Sequence, residues 1–298
     1  MENFKKIVNF DYEGVSLKLA FDSSESAIST EIERTSCWEP WQLKLYSLLL
    51  KNESATFVDI GANVGVNSIF AKRRCPKTRV IAVEPAPMNL QLLRENITNS
   101  SIEIEIIPVA VSDHDGDLVL VGDQTHAHIG IENAAGIKVE SMQLDNLIRV
   151  LKVDSIELIK IDVEGYTDLV LSHSDNTLEL AQNAIVEVSL SDLEMRFSGN
   201  QNQIKSNLVE VFEKLSSHLP HVFYISRTEG LVSVDLDEFV EVLLIEQTVG
   251  DFLFSKFKHD SISVQLFSLR KIRVLQHENH LRILENIELT TKVRRRFF

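Results

Sequence analysis

A chain of 298 residues, 44% hydrophobic and 25% charged, is long enough to bury the core of one large α/β domain with appendages. Its formal net charge of −14 argues against a duplex-binding surface, which would need Lys and Arg to displace counterions from phosphates, so no nucleic-acid partner is expected. Two cysteines, Cys37 and Cys75, without CxxC or metal-ligand spacing, exclude a disulfide-stapled fold and suit a reducing compartment.

In chain order, "MENFKKIVNFDYEGV" lacks the apolar centre of a signal peptide, and no apolar run reaches about 18 residues, so a cytoplasmic protein is expected. Apolar and polar positions alternate in "VSLKLAF" and "SAISTEI" about Asp22-Ser23-Ser24, which predicts short strands joined by a turn. Residues 1–40 are therefore an N-terminal β extension leading into a helix through "EPWQLKLYSLLLK", with Pro40 in its first turn. From Thr56 to about Ser189, β-branched runs ending in polar residues or Gly ("TFVDIG", "RVIAVEP", "IEIIPVAVSD", "IELIKIDVEG", "AIVEVS") alternate with helix-periodic segments. That alternation predicts a mostly parallel sheet with helices on both faces.

"GDLVLVGD" reads as an inserted strand and "ESMQLDNLIRVL" as a helix before the fourth main strand. "NQIKSNLVEVFEKLSSHL" is helical, and "HVFYISRTEGLVSVDLDEFVEVLLIEQ" predicts two strands about Glu229-Gly230 that close the sheet near residue 247. The main domain is thus 41–247, followed by a helical appendix, 248–298, in which Leu281, Leu284 and Ile287 share a helical face. From Lys271 onward the chain carries seven basic and three acidic residues, so an anionic polymer or a peripheral membrane contact is expected to meet this tail. A homo-oligomer is also compatible with such an appendix.

In open parallel sheets, ligands sit beyond the carboxyl ends of the strands, and "VDIGANVGVNS" occupies that place. Gly61 and Gly65 allow a tight turn, while Asn63 stands where the dinucleotide fingerprint has its middle glycine and Asn67 lies near the third. Asp59, expected at the strand end beside this loop, would repel a pyrophosphate and attract an ammonium or sulfonium, by about 4 kcal/mol at 4 Å and an effective dielectric near 20. S-adenosylmethionine carries both cations and no phosphate. Glu84, ending "RVIAVEP", can accept two hydrogen bonds from ribose hydroxyls.

"FVDIGANVGVNS", "AVEPAPMNLQLLRENI", "PVAVSDHDGDLVL" and "ELIKIDVEGYTDLVL" resemble, in order and approximate spacing, the FkbM-type S-adenosylmethionine-dependent methyltransferases over roughly residues 35–190. The resemblance implies a Rossmann-like seven-stranded methyltransferase sheet, with Asp59, Gly61 and Gly65 around the methionine moiety and Glu84 on the ribose. It also implies Ser112 and Asp113 beside the adenine. One departure is visible: Thr167 and Asp168 follow Gly165-Tyr166, where the pattern usually has a Glu two residues after the glycine.

Methyl transfer to an alcohol oxygen calls for a base within hydrogen-bond reach of the acceptor. Asp162 and Glu164, as alternating residues of a persisting strand, would point the same way, one orienting the hydroxyl and the other taking its proton. The alternative is that Asp162 positions cofactor and Glu164 caps the next helix. His126 and His128, in a loop that could overhang the cleft, are reserve bases, and no third ligand accompanies them, so no metal is expected. Glu187 could face the acceptor or pair with a neighbouring cation. The expected activity is O-methylation of a glycan, such as a surface polysaccharide, or of a secondary metabolite. The rival readings are an NAD or nucleotide-sugar oxidoreductase, which would share Glu84, and a non-catalytic polymer-binding or assembly module.

Overall fold

The computed structural model describes residues 5–22, 27–52, 54–122, 127–129, 136–226, 230–246 and 249–259. The basic tail and the 281–287 helical face lie outside the described residues, as does His126. The chain opens with an antiparallel hairpin, β1 (Lys5–Tyr12) and β2 (Val15–Asp22), that buries Val8, Phe10, Leu17 and Leu19 on one face. Helices α1 (Ala27–Thr35) and α2 (Pro40–Leu49) follow. "SAISTEI" is therefore helix rather than strand: a run too short to tell the two periods apart resolves when Ser29 and Ile32 both turn inward.

Next come β3 (Thr56–Ile60), α3 (Val66–Arg74), β4 (Arg79–Val83), α4 (Pro87–Asn99) and β5 (Glu105–Ile107). An excursion of short strands comprises β6 (Ala110–Val111), β7 (Gly116–Gly122), β8 (Ala127–Ile129) and β9 (Ile137–Met142). The chain returns through α5 (Leu144–Val150) to β10 (Leu158–Ile161), α6 (Thr167–Leu171), α7 (Asp175–Leu180), β11 (Asn183–Ser189), α8 (Leu190–Arg196) and α9 (Gln201–His218). It ends with β12 (His221–Ser226), β13 (Gly230–Ser233), α10 (Leu236–Glu246) and β14 (Val249–Ser255).

The main sheet has eight strands, in the order β13-β12-β14-β11-β10-β3-β4-β5, where seven were expected. Strands β11, β10, β3, β4 and β5 run parallel, and β14 and β13 are antiparallel to their neighbours. The chain steps outward from β3 to β4 and β5, then returns to lay β10 on the other side of β3. The order therefore reverses between β3 and β10, and a cleft opens beyond the carboxyl ends of those two strands. The hairpin and α2, α3 and α4 pack on one face around Phe57, Phe70 and Leu93, and α5 to α10 cover the other around Val58, Ile159 and Val186. Strands β6, β9, β7 and β8 form a separate sheet with its own small core of Ala86, Ala110, Leu118, Leu120 and Val139.

Two boundaries differ from expectation. "LDEFVEVLLIE" is helix α10, not strand: Leu236, Phe239, Val240 and Leu243 recur at helical spacing, and Asp235 and Glu238 exchange side-chain-to-backbone hydrogen bonds as a capping box. The domain does not close near residue 247 either. β14 inserts between β11 and β12, so residues 249–255 belong to the sheet and not to a helical appendix.

Candidate active site

The turn after β3 crosses directly over the chain leaving β10. Gly61 has φ 84°, and a Cβ there would lie 1.8 Å from the carbonyl oxygen of Asp162, so only glycine fits. Asn63 follows at φ 51°; its amide donates to Glu84 Oε2 (2.8 Å) and its own Oδ1 accepts from the Val64 amide (2.8 Å). Gly65, at φ 91°, precedes α3 and packs on Leu93.

Two cavities meet at this crossing. One is lined by Gly61, Asn63, Glu84, Asn89, the apolar run Val109–Val111, Leu120, Asp162, Glu164 and Tyr166, among others. The second lies on the α1 to α3 side and includes Trp38, Asn67, Lys160, Asp162, Glu164 and Glu187. Gly61, Asn63, Asp162 and Glu164 line both, so the cavities are two lobes of one cleft.

Glu84 sits at the end of β4, 5% exposed. Its Oε1 accepts from the Ala86 amide (2.8 Å) and Asn89 Nδ2 (3.3 Å), yet burial outweighs these donors and pushes its pKa up to about 7. Asn89 was not foreseen. It stands in the first turn of α4, 4% exposed, and its Oδ1 is buried without a partner at the wall of the first lobe. An asparagine five residues after the strand-end acid in "EPAPMN" was the available signal.

Asp59 stands one residue before the end of β3, as expected, but its side chain does not face the cleft: it is 0% exposed and lines neither lobe. β3 is flanked by β10 and β4, and Asp59 points beneath α3, where Oδ2 accepts from Ser68 Oγ at 2.6 Å and Oδ1 has no hydrogen-bond partner. Burial raises its pKa, against the pull of Lys160 and the Ser68 hydroxyl. Asp162, by contrast, lines both lobes with its side chain 24% exposed and takes Lys160 Nζ at 2.6 Å.

Lys160 is 1% exposed and lies opposite Asp59 in the β3–β10 register. Burial alone would lower its pKa, but Asp162, Asp59, Tyr46 and Glu39 hold it well above the ordinary lysine range. Glu187 on β11 and Asp251 on β14 face each other on this same side. With Glu39, they place carboxylate oxygens within 4.8 Å of one another. Both oxygens of Asp251 already accept hydrogen bonds, from Trp41 Nε1 (3.1 Å) and Gln42 Nε2 (2.8 Å), so the group anchors α2 to the sheet. Burial, with Asp162, Asp251 and Glu39 adding repulsion, holds Glu187 well above the carboxylate range.

Glu164 departs from expectation in its backbone. β10 ends at Ile161, and Glu164 has φ 50° in the following turn, so a turn and not strand alternation brings it beside Asp162. Arg196 of α8 holds that turn: it pairs with Asp168, donates to the Gly165 carbonyl (2.8 Å) and stacks its guanidinium 4.5 Å from the Tyr166 ring. Asp168 thereby anchors the departure seen in sequence. Gly165, at φ 83°, lets α8 approach, since a Cβ would lie 2.8 Å from Asp192 Cβ. Burial, Asp162 and Asp192 together push Glu164 up to about 8.

Ser112 and Asp113 line neither lobe: Ser112 is buried with its amide on Met142, and the exposed Asp113 carboxylate pairs with His114 at 2.7 Å. Val109–Val111 and Leu120 make that wall instead. His128 stands in β8 opposite Val121, not in a loop. Asn67, at the start of α3, lines the second lobe with its Oδ1 buried and unpartnered.

These features suit an S-adenosyl group. An apolar pocket closed by Glu84 and the orphaned acceptor of Asn89 matches a base and ribose hydroxyls. Gly61 lets the β3 turn cross tightly over Asp162 at the floor of the cleft, and the first amides of α3 suit a carboxylate.

Residues 59–221, more than half of the chain, match the methyltransferase FkbM domain. The chain is 27% identical over 168 residues to methyltransferase sdnD of Sordaria araneosa, covering 44% of this chain and 64% of that protein. It is 24% identical over 135 residues to the hexuronic acid methyltransferase AglP of Haloferax volcanii, covering 44% and 54%. It thus spans less than two thirds of either relative. Among solved structures, an O-methyltransferase from Bacillus cereus in complex with SAH aligns with 78% of this chain and 93% of that one, at 12% identity and a TM-score of 0.42. Sheet order, cleft position and the match over 59–221 converge: the chain belongs to the FkbM methyltransferase family.

Proposed function

We propose that the protein methylates a hydroxyl oxygen of a glycan or secondary-metabolite acceptor. It is a methyltransferase, and its methyl donor is S-adenosylmethionine. Bound in the cleft, the donor supplies an electrophilic methyl on a positively charged sulfur. Glu84 and Asn89 would hold the ribose, Val109–Val111 the base, and the Gly61–Asn63 turn with the first amides of α3 the methionine end. Asp59 acts at one remove, by fixing Ser68 and facing Lys160.

The observation that carries this reading is that Asp162 and Glu164 line both lobes, so an acceptor entering the second lobe meets two carboxylates at the junction. Asp162, tied to Lys160, orients the acceptor hydroxyl. Glu164, facing Asp162, Asp192 and Lys160, is the better proton acceptor, because a base is most effective with a pKa near the working pH. The relative that acts on hexuronic acid favours a sugar acceptor for this chain. Incubation with methyl-labelled donor and a crude glycan extract should place label on carbohydrate oxygen, at a rate rising with pH toward 8. Glu164→Gln should lower kcat by about 100-fold or more while S-adenosylhomocysteine still binds. Label on nitrogen, or a fully active Glu164→Gln, would sink the assignment.

A further inference from the structure

The second lobe is rich in hydrogen-bond acceptors. Asp162, Glu164 and Glu187 line it, together with Asn67, whose Oδ1 is buried and unpartnered. Among the described residues that line the lobe, one ammonium stands against these three carboxylates, that of Lys160, already committed to Asp162 at 2.6 Å. Asp59, Glu39 and Asp251 stand in the layer behind, and each acts on Lys160 or Glu187. The donor brings a sulfonium and an ammonium against one carboxylate, a single net positive charge, and so leaves the lobe short of cations.

A carboxylate-bearing acceptor would add a further anion to this excess. A hydroxylated acceptor offers donors to these carboxylates, and an ammonium group completes the charge. Trp38, on the same wall, offers a ring against which a cation or a sugar face can rest. Burial first, and neighbouring carboxylates second, raise Glu164 and Glu187 above the ordinary carboxylate range, so an ammonium set beside them would stabilise the charged forms that burial disfavours.

We propose that the acceptor lobe selects a hydroxylated substrate carrying an ammonium group, an amino sugar or aminocyclitol by class, and rejects uronates. This rests on the methyl-transfer reading and narrows it. Glu187 is the specificity-determining residue: it lines the acceptor lobe and not the adenosine lobe.

The test uses the full chain saturated with S-adenosylhomocysteine, titrated with glucosamine, glucose and glucuronate at constant ionic strength and near neutral pH. Glucosamine should bind at least tenfold more tightly than glucose, with glucuronate weakest. Glu187→Gln, which cannot ionise beside an ammonium, should reduce the glucosamine preference to below threefold while S-adenosylhomocysteine still saturates the protein. Equal or absent responses to the three sugars, or a preference for glucuronate, overturn the proposal. Labelled methyl appearing on a uronate hydroxyl would remove the charge selection while leaving O-methyl transfer standing. Label confined to amine nitrogen would instead remove the oxygen target.

Discussion

Glu84 is a carboxylate surrounded by donors and still half-protonated near pH 7. The Asn63 and Ala86 amides and the Asn89 side chain favour its charged form, but removal from water costs more. Its raised pKa makes its contribution to ligand-free stability largest below 4.5 and lost as pH rises through about 7. Ribose hydroxyls would add donors and lower the pKa in the complex. S-adenosylhomocysteine should therefore bind more tightly as pH rises toward 7, by up to about tenfold per unit, and level off above it. Calorimetry at pH 6 and 8 checks this, and Glu84→Gln should flatten the profile. A wild-type affinity independent of pH over that range would rule out Glu84 as the ribose contact.

At the scale of elements, the decisive piece is the turn from Ile161 to Thr167, which has no strand or long helix to fix it. Arg196 supplies what the backbone lacks, through Asp168, the Gly165 carbonyl and the Tyr166 ring. Arg196→Ala leaves the part-buried Asp168 unpaired and should cost about 3 kcal/mol in urea denaturation. Because the turn carries Glu164, kcat should fall further than S-adenosylhomocysteine affinity. Arg196→Lys keeps the charge but not the planar fork, and should recover less than half of the stability. An unchanged denaturation midpoint in Arg196→Ala would mean that α8 alone holds the turn.

For the whole molecule, β14 ties the last segment of the described chain into the sheet between β11 and β12. A chain ending at Gln247 would strip β11 and β12 of a shared neighbour and expose Phe252, Leu253 and Phe254 contacts on both faces of the sheet. It should show no cooperative thermal transition, whereas one ending at His259 keeps every described element and should melt cooperatively. Cooperative melting of the 1–247 chain would mean that the domain does close before β14.

The sequence by itself determined the parallel sheet, the glycine turn and the acids at the strand ends, because strand period, glycine spacing and strand-terminal carboxylates are local signals that survive without a partner. It also named Gly61, Asn63, Glu84, Asp162 and Glu164, all of which line the cleft. Short segments at Ala27–Thr35 and Leu236–Glu246 escaped it, since a few apolar residues fit either period until packing chooses a face. Only the tertiary structure decided which acids line the cleft. Asp59 and Asp162 are each acidic and close to a strand end, but the flanking strands and α3 bury the first while the crossing at Gly61 leaves the second open. Charge at a site is set by what surrounds it on all sides, and strands distant in sequence supply those surroundings.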